Sequence, residues 1–161
     1  MLFRPETPED AGAIRALTTA AFAAAPHSDG TEPAIVDRLR AEGDLILSLL
    51  ALDGALLGHV AFSPVRLDAP GRWAALGPVS VAPDRQGEGI GTALIESGLA
   101  RIREAGFAGC VLLGEPDYYG RFGFRNGLGL SYGAVEARYV QGLPFGTVLP
   151  RGDVAFAPAF G

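Results

Sequence analysis

Apolar and polar positions along this chain change period several times, and each change predicts an element. Residues 2–4 read as a short strand. Thr7-Pro8-Glu9-Asp10 predicts a helix start, with Thr7 as cap, proline at the first helical position and acids in the first turn. Ile14, Leu17, Ala21 and Phe22 follow at helical spacing, and the helix should fade near Pro26. His27 to Gly30 reads as a loop. A second helix is predicted from about Glu32 to Glu42, with Ile35, Val36 and Leu39 on one face and Gly43 as its stop.

The period then shortens. Leu45 to Leu52 reads as a buried strand, Asp53-Gly54 as a tight hairpin turn, and Ala55 to Val65 as the returning strand. Trp73 to Val81 is a third strand, antiparallel to its predecessor. Pro83 to Gly91 is a glycine-rich turn into a long amphipathic helix, with Leu94, Gly98, Leu99 and Ile102 facing inward and Gly106 ending it. Phe107 to Leu113 lies one crossover helix beyond Trp73–Val81, so those two strands should be parallel neighbours. Pro116 to Phe122 predicts a short helix. The rest is rich in glycine and proline, with weak strand signals near 130–135 and 152–157.

Composition narrows the classes. A chain of 161 residues, 48% apolar and 19% charged, is expected to form one domain over residues 1–161 with a packed core. No apolar run reaches the roughly 18–20 residues of a membrane span, so no membrane partner is expected. A single cysteine, Cys110, excludes a disulfide framework or a zinc ribbon within the chain, fits a cytoplasmic protein, and reads as core. Two histidines, His27 and His59, leave little scope for a metal site or a triad, and no metal is expected. All 13 basic residues are arginine, which removes P-loop and Schiff-base lysine chemistry. A net charge of -5 argues against a nucleic-acid partner and suits a cationic one.

The chemistry concentrates in Val79 to Thr92. There a strand runs into a loop with Gly87, Gly89 and Gly91 and then into a helix. Glycines let a ligand approach the backbone, and the loop and first-turn N–H groups converge on one spot suited to phosphate. Arg85 adds a cationic fork. The alternative is a tight strand-to-helix turn that only needs glycine. Walker A fails without lysine. The dinucleotide fingerprint fails because Thr92 and Leu94 stand where its third glycine belongs.

Gln86-x-x-Gly89-x-Gly91, after a Val-x-Val-x-Pro strand end, resembles the pyrophosphate-binding signature of the GNAT N-acetyltransferase family. Tyr118-Tyr119-Gly120-Arg121-Phe122-Gly123-Phe124 is similar to that family's F-Y-x-x-x-G-F segment, at the matching distance. Gly114 to Tyr119 further resembles a subgroup of small bacterial acetyltransferases. The order of elements agrees over nearly the whole chain. Many members carry Asn shortly after the strand equivalent to 107–113, where this chain has Gly114 and Glu115.

The resemblance implies a mixed α/β fold. Its central sheet is mainly antiparallel and flanked by helices, with a parallel strand pair splayed at the cofactor cleft. It implies acetyl-CoA as co-substrate and acetyl transfer to a primary amine, from a small molecule or a peptide. Pantetheine would pair with the strand at Val79, Ser80 and Val81. Pyrophosphate would rest on Arg85, Gln86, Gly87, Glu88, Gly89, Ile90, Gly91 and Thr92, with Tyr119 and Phe122 also at the cofactor. The oxyanion would meet the N–H of Val79, and Tyr119 would serve as general acid; otherwise Tyr119 is a core aromatic. For the base, Glu32 on the covering helix competes with a simple helix-start charge. His59 competes with a hydrogen-bonded core histidine. Glu115 and Asp117 are candidate contacts for a cationic acceptor or merely solvated acids. Trp73 packs or lines a pocket. Tyr118 packs or faces substrate. A homodimer is left open. The other readings are a non-catalytic acyl-CoA-binding regulator or sensor, and acyl transfer to a hydroxyl or from a longer acyl chain.

Overall fold

In the computed structural model, residues 1–161 are described apart from Ala24 and His27, so the His27 end of the expected loop lies outside the described residues. The first strand, β1 (Leu2–Pro5), leads through a 3-10 turn at Pro8–Asp10 into α1 (Ala11–Phe22). Arg4 is clamped to Asp10 at 2.8 Å, and Asp10 also accepts the Thr7 N–H at 2.7 Å. Then come α2 (Glu32–Ala41), β2 (Leu47–Asp53), β3 (Ala55–Arg66) and β4 (Trp73–Val81). After the glycine-rich loop the chain forms α3 (Ile90–Glu104), β5 (Gly109–Leu113) and the single turn α4 (Pro116–Tyr119), continued as a 3-10 turn over Gly120–Phe122.

The strands β1-β2-β3-β4 are antiparallel neighbours, β4 pairs with β5 in parallel, and the order continues to an outer strand. That outer strand, reached after β6 (Leu130–Ser131), is β7 (Val140–Pro144), antiparallel to β5. The sequence pattern did not predict it. Gly142 and Pro144 mask its alternation, and proline is tolerated because it ends an outer strand. The weak signals at 130–135 and 152–157 become two-residue strands: β6, β8 (Gly152–Asp153), which pairs with β6, and β9 (Ala155–Phe156). Strand β9 joins β3 at Val65 and Arg66, beyond the Phe62 position where β2 stops pairing. The strand expected from Phe107 begins at Gly109, and Ala108 just before it already bonds to the Arg72 carbonyl on one side and to the Phe145 N–H on the other.

The sheet divides two helical layers. On one face Leu49, Phe62, Leu94, Ile95 and Ile102 build the main core with α3. On the other, Ile14 of α1 and Val36 of α2 pack on Leu50. Gly98 allows α3 to approach: a Cβ there would lie 2.5 Å from Phe62 Cε2, and the Phe62 ring is fully buried. Gly98→Ala gains up to about 1 kcal/mol of helix propensity but overpacks the core at a cost of roughly 1–3 kcal/mol. The urea midpoint of this variant should therefore fall. A midpoint at or above wild type would mean Phe62 can give way.

The parallel pairing that positions the site is short. Strand β4 meets β5 only at Trp73, Ala74 and Ala75. Beyond Ala75, β4 pairs with β3 alone, at Leu76 and, after an irregularity at Gly77 and Pro78, at Val79 to Val81, which opens a cleft along its other edge.

Candidate active site

The direction of the β4 peptides follows from one bond. Ala82 donates its N–H to the Leu57 carbonyl across the β3 side. Strand peptides alternate, so the N–H groups of Val79 and Val81 point the other way, into the cleft. The Gln86 side-chain amide reaches the Val81 carbonyl at 3.2 Å and holds the loop against the strand end.

A groove of about 730 Å³ follows that edge. Val79, Val81, Arg85, Gln86, Gly87, Gly89, Ile90, Gly91 and Thr92, all anticipated, line it. Gly87 and Gly89 have φ +83° and +87°, a region glycine favours, and a Cβ at either would meet no protein atom within 4 Å. These glycines therefore open onto the groove and are not there for packing. Ala93 is bonded back to Gly89, and the first-turn amides of 90–92 have no intrahelical partner, so they are free for an anion. Arg85 contacts both Glu88 carboxylate oxygens through Nε, at 3.0 and 3.1 Å, leaving its terminal nitrogens for the groove. The cradle fits a diphosphate-bearing ligand.

Three anticipated residues sit elsewhere. Ser80 turns its buried side chain away from the groove wall. Glu88 is engaged by Arg85. Phe122 stacks on Tyr118 with ring centroids 5.7 Å apart and lines a neighbouring cavity beside α3. Two residues of the Tyr118–Phe124 segment that were not expected at the cofactor also line the wall. Tyr118 lines the groove, its hydroxyl 3.5 Å from where a Gly91 Cβ would be, and Arg121 lies over the Tyr118 ring at 4.4 Å. The end of α1 supplies Phe22.

A second cavity, of about 440 Å³, adjoins the first, and Phe22 and Val79 line both. It contains Tyr119 and Glu32. Burial, with the neighbouring Tyr118 hydroxyl, pushes the Tyr119 hydroxyl up to about 12, so it keeps its proton at neutral pH. Among the described residues that hydroxyl has no hydrogen-bond partner. The ring is held by Phe124 at 6.2 Å between centroids and by close contact with Gly114, where a Cβ would lie 2.5 Å from the ring. Glycine at 114 thus makes room for Tyr119. Glu32, at the first position of α2, accepts a 2.6 Å bond from the Ser28 hydroxyl on one carboxylate oxygen, and among the described residues the other oxygen has no partner.

His59 does not join this site, which corrects the base assignment. It is fully buried and lines neither cavity. Its Nε2 lies 2.8 Å from the Ser48 hydroxyl, which also contacts Glu6, and Glu6 is held by Arg40 at 2.7 Å. Burial raises the Glu6 carboxyl, but bonds from Arg40 and Ser48 outweigh it and leave it below its ordinary range. Burial pushes His59 down to about 4. An unfolded histidine binds its proton near 6.5, so the native state loses stability as pH falls from there toward 4 and keeps it above. The loss should reach up to roughly 3 kcal/mol, and His59→Gln should remove most of it in urea melts at pH 7 and pH 4.5.

Glu115 and Asp117 are exposed at the start of α4 and line neither cavity. Cys110 is buried, its thiol pushed up by burial, and Trp73 packs with its indole N–H on the Pro70 carbonyl at 3.1 Å. Among the described residues no group of three or more His, Cys, Asp or Glu could hold a metal, and no helix is long and apolar enough to cross a membrane.

Comparison with known proteins agrees with this geometry. The chain is 40% identical over 127 residues to the Escherichia coli N-acetyltransferase YhbS, covering 77% of this chain and 73% of that protein. The crystal structure of YhbS in complex with CoA superposes with TM-score 0.88, covering 99% of this chain and 91% of that one. A GNAT-family acetyltransferase from Brucella melitensis, crystallised with acetyl-CoA, is 50% identical with TM-score 0.88, covering 99% of this chain and 97% of its own. Residues 12–124 match the model of the acetyltransferase (GNAT) family, and the chain belongs to that family.

Proposed function

We propose that this enzyme moves an acetyl group from acetyl-CoA to a primary amine by direct attack. The observation that carries the reading is the junction of the two cavities at Phe22 and Val79, with Tyr119 and Glu32 on the far side of it. Both close relatives crystallised with the coenzyme share the whole fold. Acetyl-CoA supplies an acetyl thioester at that junction. The N–H of Val81 pairs with the amide arm, and the loop amides with Arg85 and Arg121 take the diphosphate. The Val79 N–H faces the acetyl oxygen, where negative charge develops. Glu32 holds the amine through the oxygen that Ser28 does not bind and accepts its proton. The Tyr119 hydroxyl gives a proton to the departing thiolate.

A regulator that only binds acyl-CoA has no need of a second cavity with a proton donor and a carboxylate. Free-thiol release from acetyl-CoA in the presence of primary amines tests the reading; coenzyme binding without thiol release for any amine would leave the regulator instead. Glu32→Gln keeps the volume and removes the charge. Its acceptor KM should rise at least about tenfold and lose its sensitivity to salt, while acetyl-CoA affinity stays unchanged. Loss of the acidic limb of the kcat/KM profile in the same variant would mark Glu32 as the base; an unaltered acceptor KM and profile would reduce it to a helix-start charge.

A further inference from the structure

Resting on the amine reading above, we propose that the acceptor is a singly charged arylalkylamine: one ammonium on a short arm, an aromatic ring, and no carboxylate. The argument comes from what the second cavity contains. Among the described residues lining it, Glu32 is the one with a formal charge. The chain has 13 arginines, and none of them lines this cavity. A single carboxylate matches a single ammonium. An amino-acid acceptor would place its own carboxylate in the same cavity as Glu32 with no arginine on that wall to meet it, and two like charges held close together repel. A polyamine would bring a second ammonium that finds no acid.

Five of the other lining residues are aromatic, Phe22, Tyr119, Tyr132, Phe156 and Phe160, and the remainder are apolar, Ile35, Leu76 and Leu113 among them. Tyr132 and Phe156 meet edge to face with centroids 4.9 Å apart, and Phe156 meets Phe160 at 5.7 Å. Phe22 completes the cavity from α1. The aromatic wall is anchored to the sheet, because Phe156 pairs with Val65 of β3. A planar ring entering such a cluster gains edge and face contacts that an alkyl chain of similar length does not. The volume of about 440 Å³ holds one ring and its ethylamine arm with the amine directed at the cavity junction.

The test is a matched panel with acetyl-CoA, reading thiol release: 2-phenylethylamine, phenylalanine, n-butylamine and spermidine. The kcat/KM for 2-phenylethylamine should exceed that for phenylalanine by about thirtyfold or more, and those for butylamine and spermidine by about tenfold. In Phe156→Ala, checked for fold by thermal melt and for acetyl-CoA binding by calorimetry, the preference for phenylethylamine over butylamine should collapse toward about one. Thiol release that favours phenylalanine, butylamine or spermidine in the wild type overturns the proposal and leaves amine acetylation standing. No thiol release with any of the four amines, with acetyl-CoA still bound, overturns the proposal, and the amine reading falls with it only if the wider primary-amine screen is also silent.

Discussion

Gly89→Glu should abolish acetyl-CoA binding, with the far-UV circular dichroism spectrum unchanged. Gly89 caps α3 with φ +87°, and a Cβ there points into open groove. Any side chain must enter the space reserved for the diphosphate. A glutamate adds a negative charge beside two phosphates at the positive end of a helix, where it competes for the same amides. The left-handed backbone costs any non-glycine residue about 1–2 kcal/mol, which the whole fold should tolerate. Gly89→Ala carries that same strain without the charge and so separates the two effects. Its acetyl-CoA affinity should drop modestly, whereas the glutamate variant should show no binding heat. Wild-type affinity in Gly89→Glu would mean the loop is a turn and nothing more.

How much of this was legible beforehand depends on whether a feature is local. The 86–91 loop carries its determinants within a few residues: a strand end, glycines at the positions with positive φ, and a helix start. Its anticipated wall residues are therefore nearly all in place. Ser80 lies on the other face of β4 by the alternation of side chains along the strand, and the Glu88 carboxylate turns to Arg85 Nε, so neither side chain lines the wall. His59 failed for a related reason. A period of two places it on a face of β3 but does not say what covers that face. Here the cover is the Ser48–Glu6–Arg40 cluster, built from residues 6 to 48. The acceptor cavity was illegible because its wall joins Phe22 and Glu32 to Tyr132, Phe156 and Phe160, which lie about a hundred residues further on. Strand β9 brings them together through two pairs with β3, too short a run to leave a pattern.

Tyr119→Phe should lower kcat by about 10²–10⁴-fold while the KM for acetyl-CoA stays near wild type. The ring keeps its seat, since its contacts with Phe124 and with the bare backbone of Gly114 do not involve the hydroxyl. Only the proton donor goes. The wild-type hydroxyl is held near 12, so it stays protonated across the working pH range and the loss in the variant should be the same at pH 7 and at pH 9. Thiolate is a modest base, and water reaching the junction could protonate it in the donor's place; a solvent isotope effect larger in the variant than in wild type would expose that substitution. The Gly114→Ala variant offers an independent check. Its Cβ would press on the Tyr119 ring, tilt the hydroxyl away from the cavity junction, and lower kcat in the same direction without removing any polar group. Turnover within about twofold of wild type in Tyr119→Phe would remove Tyr119 from the proton-transfer step and leave it as the packed aromatic wall between the two cavities.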